Sequence, residues 1–256
     1  MVEYVHTPVS VSGKRGVVIG GTSGIGQAIA LGFASDGADV LATSRTEPAM
    51  EETAAAIEAR GVDTARVTCD VTEQESLDAV REAAVDAFGG IDVVVASQGA
   101  ISREALLDIS GDEWDSVTDV ALDGVRRVTQ AMAPAMDEGA IVNISSLTAR
   151  LAMANLPAYT AAKGGVEALT RAAATELAPD IRVNAIAPGF VITPQNEETY
   201  AEGTEKRAAI DERTPLGRVA EREEIVGAAV YLASDAASFV TGEVVTVDGG
   251  FVDSAF

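Results

Sequence analysis

A single cysteine, a single histidine and a single tryptophan occur in 256 residues, and of the 18 basic residues only Lys14, Lys163 and Lys206 are lysine. Each scarcity excludes something. Cys69 has no partner for an internal disulfide, which rules out a disulfide-stapled scaffold and makes a reducing cytoplasm the expected home. His6 stands alone in a polar N-terminal segment, so no metal site is expected. Against the 18 bases stand 40 acids, a net charge of −22. That balance repels nucleic acid phosphates and anionic membrane surfaces, and neither is expected as a partner. Long apolar runs are missing as well. The uncharged stretch 16–35 superficially resembles a signal peptide, but Gly20, Gly21, Gly24 and Gly26, with Thr22, Ser23 and Gln27, would break an export signal or a membrane span at its centre.

What is present is an ordinary globular composition, 47% hydrophobic and 23% charged, long enough for one domain with a sizeable core and a cofactor cleft. Short β-branched runs predict strands at Gly16–Ile19, Val40–Thr43, Arg66–Cys69, Val93–Ala96, Ala140–Ile144, Ile181–Ile186 and Glu243–Val247. Between them, three- and four-residue spacing predicts helices at Ile25–Ala34, Pro48–Arg60, Glu73–Phe88, Glu113–Met136, Ala158–Leu177 and Glu221–Leu232. Alternating β and α with near-continuous apolar strands implies an α/β fold. It is a doubly wound, Rossmann-type parallel sheet of about seven strands covered by helices on both faces. Nothing divides 1–256 into two domains. The one long irregular segment, 189–218, is read as a substrate lid. Its acids (Glu197, Glu198, Glu202, Glu205) make a highly anionic substrate look disfavoured.

Three sets of residues carry chemistry. The first strand runs into Gly20-Gly21-Thr22-Ser23-Gly24-Ile25-Gly26 and then a helix, the arrangement in which backbone N–H groups and a helix N-terminus bind a pyrophosphate. The second strand ends in Ser44-Arg45, where a Rossmann fold reads the adenosine ribose. An acid there would repel a 2′-phosphate, whereas the arginine fork suits one, so NADP(H) is favoured and NAD(H) stays possible. Tyr159 and Lys163 lie four apart on an Ala-rich helix and share one face. A free phenol titrates near ~10, and an ammonium ~4 Å away at an effective dielectric of ~20 contributes about 4 kcal/mol, enough to bring it toward neutrality. Ser146, at the end of the strand Ala140–Ile144, could bond the same reacting oxygen.

In this order and spacing the chain resembles a short-chain dehydrogenase/reductase of the Tyr-x-x-x-Lys type. The matching pieces are the glycine loop, Cys69-Asp70-Val71, Ser146, Tyr159, Lys163, Pro188-Gly189-Phe190-Val191-Ile192-Thr193 and Asp248-Gly249-Gly250. The resemblance implies a hydride-transferring oxidoreductase acting on a small carbonyl or alcohol substrate. In it Ser146, Tyr159 and Lys163 would be catalytic, Asp70 beside Val71 would hold the adenine amino group, and Thr193 with the Ile192 backbone the carboxamide of the nicotinamide. Lys163 would hold the nicotinamide ribose. Ser97 and Gly99 after the fourth strand, and Pro188 with Gly189, complete the expected cofactor site. The family further implies a homotetramer, with interfaces on the helices bearing Asp112–Ala135 and Ala158–Leu177 and on the C-terminal segment.

The chain departs from that pattern in three places. Ile19 stands where the family's glycine motif usually opens with Thr. Ala96-Ser97-Gln98-Gly99 replaces Asn-Asn-Ala-Gly. Ala121 stands where an Asn normally holds a proton-relay water. The expected substitute is the backbone carbonyl near Ala121 or the side chain of Ser97 or Gln98. Ala121 also keeps a second reading open, a dinucleotide-binding sensor with little catalysis. Finally, acids spread over helical faces, as at Glu47, Glu51, Glu52 and Glu58, self-repel in dilute buffer and are screened in about 1 M salt, where the Debye length is ~3 Å. The pattern resembles that of halophile proteins.

Overall fold

The computed structural model describes residues 6–254. In chain order its strands and principal helices are β1 (Arg15–Ile19), α1 (Gly24–Ser35), β2 (Asp39–Thr43), α2 (Glu47–Glu58), α3 (Gln74–Phe88), β3 (Val93–Ala96), α4 (Gly111–Thr118), α5 (Gly124–Met132), β4 (Gly139–Ile144), α6 (Pro157–Leu177), β5 (Ile181–Pro188), β6 (Val191–Ile192), α7 (Glu205–Arg213), β7 (Ala220–Glu221), α8 (Val226–Ala233) and β8 (Val244–Val247). Six strands form one parallel sheet in the order β2-β1-β3-β4-β5-β8. Each strand feeds both faces, as a period of two requires. Val17, Ile19, Val94 and Ala96 pack on one side with α3 and α5, whereas Val18, Val93 and Val95 pack on the other with α1 and α8. Burial on both faces explains why the strands read as continuous apolar runs. The strand order reverses between β1 and β3, which opens a crevice beyond their carboxyl ends.

Three sequence expectations change. The run Arg66–Cys69 is not a strand, and the main sheet has six strands rather than seven. The segment does follow β2, with backbone bonds from Val40 N to Asp63 O (3.0 Å) and from Cys69 N to Ser44 O (2.9 Å). Between those points side chains take over the ladder. Thr64 Oγ1 donates to Val40 O, Thr43 Oγ1 donates to Val67 O, and Asp63 N donates to the Asp39 carboxylate.

The helix expected over Glu113–Met136 is broken by a π-helical turn at Asp119–Asp123. Ser110 caps its start by accepting from Glu113 N. The Arg127 guanidinium bonds both the backbone and the carboxylate of Asp119, which satisfies a carbonyl where the ladder is loosened. The segment 189–218, expected as an irregular lid, is not structureless. It holds β6, paired with β7 just beyond it, and the helix α7, capped by Thr204 and braced by an Arg207–Asp211 ion pair at 2.8 Å. Among the described residues no helix is long and apolar enough to cross a membrane, and no cluster of His, Cys, Asp or Glu could hold a metal.

Candidate active site

Beyond the carboxyl ends of the strands lies a cleft of about 630 Å³. Its floor is the loop from β1 to α1, where glycine is sterically required. Gly20 adopts φ +72°, and a Cβ there would lie 2.9 Å from the Gln98 backbone. A Cβ on Gly26 would lie 2.2 Å from Gly20 O, so α1 can approach β1 this closely only without a side chain. Ser23 caps α1 in extended conformation without spending its hydroxyl on the helix, and no acid occupies the first turn. Free N–H groups, a free hydroxyl and a bare positive helix end fit a pyrophosphate.

The other expected cofactor residues converge on the same cleft. Gly24, Ile25, Ser44, Arg45, Asp70, Val71, Ser97, Gly99, Pro188, Gly189 and Thr193 all line it. Arg45 is exposed at the end of β2, and among the described residues it forms no ion pair with Glu47. Backbone and hydroxyl bonds from Thr72 to Oδ1, helped by the charge of Arg45, hold Asp70 below the usual carboxylate range. Cys69 is buried, and burial pushes its thiol up to about 11, which removes it as a nucleophile.

Two expected residues do not line the cleft. Thr22 is buried beneath the loop, where its hydroxyl donates to Ser44 Oγ at 2.6 Å, so it shapes the loop from below. Ile192 lies in β6, and its side chain packs with Tyr200, Ile210, Val219 and Phe251. The neighbouring turn is held from inside the protein, since Asn196 Oδ1 accepts from Thr193 N (2.8 Å) and its amide donates to Val191 O (2.9 Å).

On the opposite wall stand Ser146, Tyr159 and Lys163. Ser146 follows β4 and opens a short 3-10 turn, its Oγ accepting from Thr148 N at 3.2 Å. Tyr159 lies in the first turn of α6 and lines the cleft with Ser146. Lys163, one turn on, is 3% exposed, and its ammonium donates to Ile144 O at 2.7 Å. Here the electrostatics differ from the sequence expectation. Lys163 Nζ lies 5.7 Å from the Tyr159 ring centre, and burial holds the phenol above its ordinary value although the Ser146 hydroxyl opposes that rise. It is Lys163 whose pKa falls, to about 8, because its charge is buried.

Ala121 is fully buried in the π-helical turn, with its neighbour Val120 on the cleft wall. Gln98 lines the cleft, and among the described residues both polar atoms of its buried carboxamide lack a partner, as does Thr148 Oγ1. Groups left so cost about 1–3 kcal/mol each unless a ligand or water satisfies them.

Residues 19–252 match the family model described as enoyl-(acyl carrier protein) reductase. The chain is 40% identical over 246 residues to 3beta-hydroxysteroid dehydrogenase 1 of Eggerthella lenta, covering 94% of each protein. It is 38% identical to the 3-oxoacyl-[acyl-carrier-protein] reductase of Thermotoga maritima, over 94% of this chain and 99% of that one. Among solved structures, a candidate NAD(P)-dependent gluconate 5-dehydrogenase of Beutenbergia cavernae, with NADP bound at low occupancy, superposes with a TM-score of 0.90 at 40% identity. The match spans 96% of this chain and all of that one.

The chain belongs to the short-chain dehydrogenase/reductase family. It is therefore an NAD(P)-dependent oxidoreductase. Within this reductase fold the sequence reading missed Arg103, Thr148, Met153, Leu156 and Asn196, all on the cleft wall. They come from loops without periodicity or motif, and only proximity in space identifies them.

Proposed function

We propose that this enzyme moves a hydride between NADP(H) and a carbonyl or secondary-alcohol carbon, with Tyr159 as general acid in reduction and general base in oxidation. The observation that carries the reading is the meeting of Ser146, Tyr159 and Lys163 in one cleft with the glycine cradle. When bound, the dinucleotide supplies or accepts the hydride. Everything else falls to side chains of the protein. In reduction the Tyr159 hydroxyl gives its proton to the carbonyl oxygen, while Ser146, anchored through Thr148 N, donates a hydrogen bond to that same oxygen. Lys163, a buried ammonium with a pKa near 8, stands behind Tyr159 as the nearest charged proton source. Arg45, Ser23 and the first turn of α1 hold the phosphates, and Asp70 takes the adenine amino group.

The exposed Arg45, without an ion pair among the described residues, and the absence of any acid at the end of β2 support NADP(H) over NAD(H), and so does the neighbour solved with NADP. The segment 189–218 serves as substrate lid, since Phe190, Val191, Thr193, Gln195, Asn196 and Tyr200 form one wall of the cleft. A homotetramer packed through α4, α5 and α6 and the C-terminal segment completes the reading. Leu107 and Phe239, large apolar side chains left almost fully exposed, are candidates for cover in such an assembly.

The test follows NADPH absorbance in molar KCl against a panel of ketones. Raised by burial, Tyr159 stays protonated through neutrality, and Lys163 loses its charge only above about 8. Reduction should therefore be flat up to about pH 8 and fall above it. Tyr159→Phe should lower kcat about a thousandfold while leaving NADPH binding within twofold. A variant that keeps a tenth of the activity would remove Tyr159 from its role.

A further inference from the structure

The charge of the cleft runs against the charge of the chain. Acids outnumber bases by 40 to 18 overall. The residues lining the cleft nevertheless include three cations, Arg45, Arg103 and Lys163, and one carboxylate, Asp70. Such an inversion, set in low-dielectric walls, concentrates anions. Two of the cations are already engaged, Arg45 at the adenosine end and Lys163 behind Tyr159. Arg103 is not.

Arg103 belongs to the segment that follows β3, away from the glycine loop. Its neighbour Ser102 is tied to Glu113 at 2.5 Å, which anchors the segment, and Arg103 itself makes no ion pair among the described residues. Facing it is the lid. Tyr200 lines the cleft, and Lys206 Nζ lies 5.3 Å over its ring. Arg103 and Tyr200 line the same cleft; burial lowers the pKa of Lys206 and the charge of Arg103 lowers it further, while at Tyr200 that charge opposes the burial-driven rise.

Arg103 on the cleft wall and Lys206 over the ring of Tyr200 thus flank the lid side of the cleft, and among the described residues neither forms an ion pair. The lid acids supply no partner. Glu197, Glu198, Glu202 and Glu205 are exposed to solvent and pair with neither cation, while the remaining basic residue of that turn, Arg207, is taken by Asp211. With those lid acids turned to solvent, the charge they carry does not count against an anionic substrate in the cleft. The same cleft is also lined by the apolar side chains of Leu147, Met153, Leu156 and Phe190.

Building on the oxidoreductase reading, we propose that the substrate is a hydroxy or oxo carboxylic acid. Its carboxylate sits between the Arg103 fork and the Lys206 ammonium, its carbon chain on Met153, Leu156 and Phe190, and its reacting oxygen at Tyr159. A guanidinium matches the two oxygens of a carboxylate in a bidentate pair, and the ammonium adds a third donor.

The experiment uses matched pairs of short oxo acids and their methyl esters, so that only the charge differs, with NADPH as reductant and absorbance as readout. In wild-type enzyme kcat/KM for the acid should exceed that for the ester at least tenfold, with the difference in KM. Arg103→Gln should collapse the acid-to-ester ratio toward one, and Lys206→Met should narrow it by a smaller factor. Circular dichroism confirms that each surface variant is folded. An ester turned over as well as its acid, or a ratio untouched by Arg103→Gln, overturns this inference and leaves the oxidoreductase reading standing. If no acid or ester is reduced, and Tyr159→Phe behaves as wild type across the panel, both fall together.

Discussion

The two ends of the cleft are built from different material. At the glycine end the fit is between backbones: Gly20, Gly21 and Gly26 stand so close to Gln98, Val18 and Gly20 O that an added methyl would meet each at 2.9 Å or less. At the end formed with the segment 189–218 the fit is between side chains contributed by distant segments. Phe190 meets Tyr200 and Phe251 edge to face at centroid distances of 5.8 and 4.9 Å, with Ile210 and Val219 behind them. A backbone cradle has one solution, whereas a cluster of rings and aliphatic groups can be repacked. The first kind of wall suits a constant cofactor, and the second a substrate that changes from one relative to the next. Relatives at 38–40% identity, with names that run from a hydroxysteroid dehydrogenase to an acyl-carrier reductase, are in keeping with that division.

The largest effect should come from breaking the rigid end. Gly26→Ala drives a methyl into Gly20 O, and because backbone stands on both sides, α1 itself must move and carry its N-terminus away from the phosphates. NADPH affinity, followed by fluorescence titration, should fall at least a hundredfold. Met153→Ala, at the soft end, should change KM for substrate only a few-fold. Equal losses at the two positions would erase the distinction.

The same division decides what could be read from the chain. The glycine loop occupies seven consecutive residues, and Tyr159 and Lys163 are one helical turn apart, so periodicity and spacing suffice to bring them together. The core strands were legible because burial on both faces leaves a run of valines that no helix period explains. Arg66–Cys69 has the same composition as a strand. Its pairing, however, depends on which of Thr43, Thr64 and Asp39 bond across the edge, a side-chain detail that apolar content does not encode. The π-helical turn was invisible because adding one residue to a helical turn leaves its apolar spacing almost unchanged. Arg103 was illegible for a plainer reason. Its meaning lies in Lys206, about a hundred residues away along the chain.

A smaller effect is expected where the rigid end meets solvent. Arg45 forms no ion pair among the described residues, so Arg45→Glu replaces attraction for a 2′-phosphate by repulsion without breaking a salt bridge. Removing one charge-assisted contact should weaken NADPH about tenfold to a hundredfold. NADH, which offers a hydroxyl at that position, should change less than threefold. The ratio of the two dissociation constants is the decisive measurement, and equal weakening of both would mean that Arg45 acts on the fold rather than on the phosphate.

The smallest effect should come from the position that looks most damaging in the sequence, Ala121. The residue is fully buried inside the π-helical turn, so an Asn there must fit three further heavy atoms and satisfy two of them in a closed site. Nearby on the cleft wall, Gln98 already offers a carboxamide whose two polar atoms have no partner among the described residues. It is well suited to hold the water that Ala121 cannot. Ala121→Asn should accordingly leave kcat within tenfold of wild type. Stability should fall by about 1–3 kcal/mol, read as a Tm lower by roughly 2–12 °C for a chain of this length. A gain in kcat above tenfold would mean that the wall holding Tyr159 lacks a group that Gln98 does not replace, and that the natural enzyme works below the capacity of its own site.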